Sequence, residues 1–193
     1  RYLMLHLPRW PTDCLKRAEP ALAASDRPLV LWEKLKGAMR IVAVDEAAAA
    51  LGLGPGQPLS DARAIVPGLE AREIDRPWLE QVFADFADWH SNASPIVSVL
   101  THDAAYGDLC LDITGVSHLF DGEAAMLGHL AGRLRALGYA TSGAIASTVG
   151  VAWAMAHFAP GRIVPTGSEA EALADLPVSA LRLEPAQAEG LAQ

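Results

Sequence analysis

At 193 residues and 51% apolar content, the chain can build one sizeable core or two small ones and is too apolar for a disordered tail. A formal net charge of −8 argues against a segment that grips a nucleic-acid backbone by itself, because such surfaces gather Lys and Arg to displace counterions. No apolar run approaches the roughly 18 to 20 residues of a bilayer span, and the opening "RYLMLHLPRW" is too short and too soon broken by Pro8 for a signal peptide; a cytoplasmic location is expected. The only cysteines, Cys14 and Cys110, form no CxxC pair, so they are expected as buried or idle thiols.

In chain order, "YLMLHL" (2 to 7) predicts a strand ended by Pro8, and Thr12 or Asp13 is placed to cap a helix through about Arg17. β-rich runs at 29 to 33 and 39 to 44 flank Gly37 and predict a hairpin. "DEAAAALGLGPGQPLSDARAIVPGLE" then predicts two short helices split by Gly and Pro, and a strand near 69 to 74. From Pro77 to about Ser91, Trp78, Val82, Phe86 and Trp89, with Leu79 and Phe83, recur at helical spacing and predict an amphipathic helix over a sheet. Strands follow at 96 to 100 and 107 to 112, and a helix at about 122 to 137 with Leu127, Leu130, Leu134 and Leu137 on one face. A strand at 140 to 146, a helix at 148 to 159 and a strand at 161 to 164 end the pattern. The order is ferredoxin-like β-α-β-β-α-β, an α/β (α+β) fold with residues 20 to 74 inserted after the first strand and helix. The chain opens without Met and stops in "EPAQAEGLAQ", which looks like a helix cut short, so a piece of a longer protein is expected.

That layout, with "PRWPTD" after the first strand, the GLGPGQPLSDA loop, "LDITG" followed by "HLFDGE", and "GAIASTVGVAWAMAHFAPG", resembles the palm and fingers of the Y-family translesion DNA polymerases. The resemblance is strongest to the ImuB family, polymerase-like members of bacterial mutagenesis cassettes. It implies palm at 1–19 and 75–165, fingers at 20–74, and the start of a thumb at 166–193. It also implies a role in SOS-induced translesion synthesis, linking the sliding clamp, an ImuA/RecA-like protein and an error-prone C-family DNA polymerase, largely through regions after Gln193.

Phosphoryl transfer in such polymerases needs two metal ions about 4 Å apart, bridged by carboxylates. The resemblance places one family Asp at the end of the first strand, where this chain has His6, Leu7 and Pro8, none of which can bridge two Mg²⁺ ions. It places an Asp-Glu pair at Gly107 and Asp108, so only Asp108 survives there. Asp112 lies four residues on, about 13 Å along a strand, too far to share a metal with Asp108, and is expected to cap the turn before Gly115. The triphosphate-holding Tyr and Arg of the fingers fall on Asp45 and Ala48, and the palm lysine on Ala152 or Trp153. The aromatic gate against ribonucleotides falls near Trp10 or Pro11.

Six histidines, at 6, 90, 102, 118, 129 and 157, show no i, i+4 pair and are expected as scattered surface or half-buried residues, so no metal site is expected. "GLGPGQP" lacks the ending of a P-loop, and "QPLSDA" lacks the aromatic pair of a clamp-binding peptide. Trp32, Trp78 and Trp89 are able to stack nucleic-acid bases, but Trp78 and Trp89 fall on the helix face that meets the sheet and core packing is the stronger reading, whereas Arg9 and Trp10, among prolines, are the candidate contact residues. The expected function is a non-catalytic scaffold with no cofactor and weak or absent DNA binding in this segment. The alternative is an active nucleotidyltransferase that holds a single Mg²⁺ through Asp108, a backbone carbonyl near residue 7 and a substrate phosphate.

Overall fold

The computed structural model describes residues 1–100 and 107–181. The expected thumb continuation and truncated helix at 182–193, and His102, lie outside the described residues. The chain begins with β1 (Tyr2–Leu7), α1 (Trp10–Ala18) and the short α2 (Pro20–Ala23). It continues through β2 (Leu29–Leu35), β3 (Ala38–Val44), α3 (Glu46–Ala50), α4 (Leu59–Ile65) and β4 (Glu70–Glu73). After α5 (Arg76–Trp89) come β5 (Val97–Val99), β6 (Gly107–Asp112), α6 (Glu123–Ala136), β7 (Ser142–Ala146), α7 (Val149–Phe158) and α8 (Glu169–Ala174).

The larger sheet has strand order β5-β6-β1-β7, and each neighbouring pair is antiparallel. This is the ferredoxin-like order that the sequence predicts. β1 is central and covered on both faces, which explains a strand apolar at every position except His6. On one face α5 and α6 bury Leu3, Leu5, Leu7, Leu109 and Leu111. On the other, α7 packs its alanines, Met155 and Trp153 against Met4, Cys110, Ala144 and Ala146. Both cysteines are buried, and burial pushes the Cys110 thiol up to about 11.

The smaller sheet, order β3-β2-β4, has its own core of Val30, Ile41, Ala48, Leu53, Leu59, Ala62 and Leu69. Its hairpin turns through Lys36 and Gly37, with φ of 49° and 85°, the left-handed pair that lets two strands reverse in two residues. β4 pairs with β2 in parallel, which requires the crossover that α3 and α4 supply.

Several expectations are corrected. α1 starts at Trp10, two residues before Thr12, because Pro11 fits the first helical turn, where a missing N–H costs nothing. Neither Thr12 nor Asp13 caps it: the Thr12 hydroxyl donates to the Arg9 carbonyl, and Asp13 accepts from the Ala140 N–H across the fold. The centre of the α5 stripe is Leu79, Phe83 and Ala87, with Trp78, Val82, Phe86 and Trp89 half-buried on its flanks. Leu137 falls past the end of α6 and is exposed, since Gly138 at φ 89° turns the chain away. The stretch 161 to 164 forms a single parallel bridge from Ile163 to Ile145 rather than a strand. Among the described residues, no helix is long and apolar enough to cross a membrane.

Candidate functional site

The register of the larger sheet decides which side chains meet. β1 and β6 pair His6 directly opposite Asp108 and Leu7 opposite Gly107. Because successive residues of a strand face opposite ways, His6 and Asp108 look toward α7 while Leu7 and Gly107 look toward α5. α7 is started by Thr148, whose hydroxyl accepts from the Val151 N–H, and it carries Trp153 and His157 one turn apart on the sheet side.

Three side chains therefore converge on one carboxylate. Asp108 is 0% exposed. Its Oδ2 accepts from Trp153 Nε1–H at 2.7 Å, and its Oδ1 accepts from His6 Nδ1–H at 2.8 Å. His157 Nε2–H is shared between the two oxygens at 3.0 and 3.1 Å. An ionised carboxylate only accepts, which assigns the donor nitrogen of each imidazole. The rings stack: the His6 and His157 centroids lie 3.6 Å apart, and those of His157 and Trp153 4.0 Å apart.

Burial works to raise the Asp108 carboxyl, but hydrogen bonds from His157 and His6 outweigh it and hold the group below the usual carboxylate range. Burial also lowers His6, more than its bond to Asp108 raises it, so its imidazole stays neutral near pH 7. The result is a buried anion held by N–H donors from β1 and α7.

Leu7 and Gly107, on the other face, are part of the apolar packing. A Cβ built on Gly107 would meet Phe83 ring carbons at 2.6 and 2.8 Å, so the ring already occupies the space of any side chain there. Ala48 and Ala152 are likewise packed into cores. Asp45 is buried, caps α3 by accepting from the Ala48 N–H at 2.8 Å, and pairs with Lys16 Nζ at 2.5 Å. Its charge is thus answered from α1. Asp112 accepts from the Thr114 N–H at 2.9 Å, the turn-capping role expected of it.

Two site expectations are overturned. Trp10 is 4% exposed and sits among Phe83, Phe86 and Tyr139, so it is core and cannot be a contact residue; Arg9 alone stays at the surface, 3.0 Å from Glu46. The histidines are not merely scattered. His6 and His157 converge on Asp108, and His90 is buried with its Nδ1 2.7 Å from the Phe86 carbonyl. His157 was missed because it lies 151 residues from His6 in sequence; the Trp153–His157 spacing of four was the one signal for it.

Among the described residues, His6, Asp108 and His157 form a group able to hold a metal ion, with ligand atoms all within 4.8 Å. This donor set does not suit a pair of Mg²⁺ ions, which want oxygen ligands in octahedral geometry; it offers a single carboxylate already engaged by three N–H donors.

The impB/mucB/samB family profile matches residues 7–157. Protein ImuB of Caulobacter vibrioides, strain NA1000 / CB15N, is 43% identical over 134 residues, 69% of this chain and 28% of that protein. ImuB of a second strain of the species matches equally. The chain thus spans little more than a quarter of these relatives. Among solved structures, DinB from Sulfolobus solfataricus covers the whole chain with a TM-score of 0.77, and an insertion ternary complex of Dbh DNA polymerase does so with 0.78. Both are 14% identical, and this chain spans 57% of each. The fold is therefore that of the Y-family polymerases.

Proposed function

The chain belongs to the impB/mucB/samB family, with ImuB among its relatives, and on that premise we propose that it is a non-catalytic, polymerase-like scaffold in damage-induced translesion synthesis and mutagenesis. In this reading the four-stranded sheet and its helices (1–19, 75–165) are the palm, the three-stranded sheet and its helices (20–74) the fingers, and residues from 166 the start of a thumb. The whole protein works in the cytoplasm and joins the sliding clamp, an ImuA/RecA-like protein and an error-prone C-family polymerase that carries out synthesis. The formal charge of −8 supports a partner-binding role over a tight DNA grip by this segment.

One observation carries the reading: both oxygens of Asp108 are taken by Trp153, His6 and His157, while Phe83 fills the space beside Gly107. Two-metal phosphoryl transfer needs several carboxylate oxygens open to hard cations. Here one carboxylate is present, and it is turned inward.

Primer extension by the full-length protein with Mg²⁺ or Mn²⁺ tests this. The expected result is no nucleotide incorporation, with co-purification of the RecA-like and polymerase partners. Incorporation that is lost in Asp108→Ala would overturn the proposal and establish the single-metal nucleotidyltransferase instead.

A further inference from the structure

We infer that His6, Asp108 and His157 form a binding site for one borderline transition-metal ion, with Zn²⁺ as the best match. The ligand set is two imidazoles and one carboxylate, carried by β1, β6 and α7. Imidazole nitrogen suits Zn²⁺ and its neighbours, whereas Mg²⁺ takes oxygen and dehydrates reluctantly.

The geometry lies close to what such an ion requires. Ligand atoms on a tetrahedral Zn²⁺, with bonds of about 2.0 to 2.1 Å, stand roughly 3.3 to 3.4 Å apart. Here His6 Nδ1 is 2.8 Å and His157 Nε2 is 3.0 Å from Asp108 Oδ1, and the three ligand atoms lie within 4.8 Å of one another. Admitting the ion requires these separations to widen by about half an ångström and the His6–His157 stack, with centroids 3.6 Å apart, to open so that both ring lone pairs point at one centre. His6 reaches Oδ1 and His157 lies between the two oxygens, while Trp153 Nε1–H holds Oδ2. Trp153 is thus placed as the outer donor that orients a metal-binding carboxylate.

Binding needs lone pairs on His6 Nδ1 and His157 Nε2, so the ion replaces the two imidazole N–H bonds to Asp108 and each ring moves its proton to the other nitrogen. Both histidine side chains are 12% exposed, so the site borders the solvent from which an ion and a water as fourth ligand would come. The ion would fasten the centre of the sheet to α7. A single ion here displaces the imidazole bonds on which the scaffold reading rests but supplies no second metal, and Phe83 still bars a carboxylate at 107, so ion binding and primer extension test the two readings separately.

Calorimetry on the metal-free chain with Zn²⁺ and with Co²⁺ tests it. The expected result is one ion per chain, visible Co²⁺ absorption of four-coordinate strength, and Zn²⁺ binding undisturbed by millimolar Mg²⁺. His157→Gln, which keeps an N–H for Asp108, and His6→Ala should each weaken binding by about 10-fold or more. They should also abolish the rise in melting temperature that Zn²⁺ gives the parent chain, while His118→Ala changes neither. If His6→Ala unfolds, His157→Gln decides. No binding at 100-fold molar excess of Zn²⁺, equal affinity in the folded His157→Gln chain, or displacement by Mg²⁺ would overturn the assignment.

Discussion

The two faces of the larger sheet treat polar groups in opposite ways. Toward α7, Asp108 sits at 0% exposure with three N–H donors, and its carboxyl is held below the usual range. At the rim of the other face, Asp13 is half-buried, and the first force on it is again desolvation. It has a single protein N–H, from Ala140 at 2.8 Å, and is pushed up to about 6. Burial acts the same way on both. The number of donors aimed at the carboxylate sets the sign of the shift.

The neighbouring positions 107 and 108 make the same contrast sterically. The side chain of Asp108 fits because α7 brings partners to it. None fits at 107, where the Phe83 ring lies against the backbone. Placing a carboxylate there should cause the largest loss: Gly107→Asp both overpacks the Phe83 face and buries an unpaired charge, for about 3 kcal/mol or more by chemical denaturation. Adding Phe83→Ala to that variant should not restore the parent stability, since the charge still lacks partners; full recovery would show that sterics alone bar the position.

Asp108→Asn should come next. The amide keeps one acceptor oxygen but turns an NH₂ toward a crowd of donors, leaving at least one of them unsatisfied at about 1 to 3 kcal/mol. A loss near zero would mean that the three surrounding side chains are not held together by the carboxylate.

The pH dependence should differ in sign between the two faces. His6 titrates below its ordinary 6.5 in the folded chain, so the unfolded chain binds the extra proton first, and stability falls as pH drops from about 6.5 toward the folded value. Asp108 adds a further loss below about 3.8, as its depressed carboxyl is protonated. Asp13 acts oppositely: the folded chain holds its proton up to about 6, so its contribution weakens as pH rises from about 3.8 to 6. Urea titrations from pH 4 to 8 should therefore show a shallower slope with His6→Gln and a steeper rise toward neutral pH with Asp13→Asn.

The smallest effect is expected in the smaller sheet's own core region. Asp45→Ala removes the α3 cap and the Lys16 partner and should cost about 1 kcal/mol. Activity and partner readouts should not change if Asp45 is only a helix cap.

Much of the fold was legible because periodicity and turn chemistry are local. An apolar run as short as "YLMLHL", ended by Pro8, points to a strand covered on both faces, and Gly37 supplies a positive φ that a hairpin needs. Asp108 was legible as a lone carboxylate, and Asp112 as a turn cap, from their places along one strand. Trp10 was misplaced because Pro11 favours the first helical turn, so the helix begins at Trp10 and carries the ring into the core. Leu137 was misplaced because the helical stripe was run one residue past Ala136.

The sequence by itself determined the order of strands and helices, the hairpin, the amphipathic faces and the single carboxylate at 108, all of which follow from neighbours a few residues apart. Only the tertiary structure decided what that carboxylate meets. His6, Trp153 and His157 reach it because β1 and β6 pair in one register and α7 lies over that face, and no spacing within any one segment encodes such a meeting. The same register sends Gly107 to Phe83 and Asp108 to the histidines, since a pleated strand turns successive side chains to opposite faces.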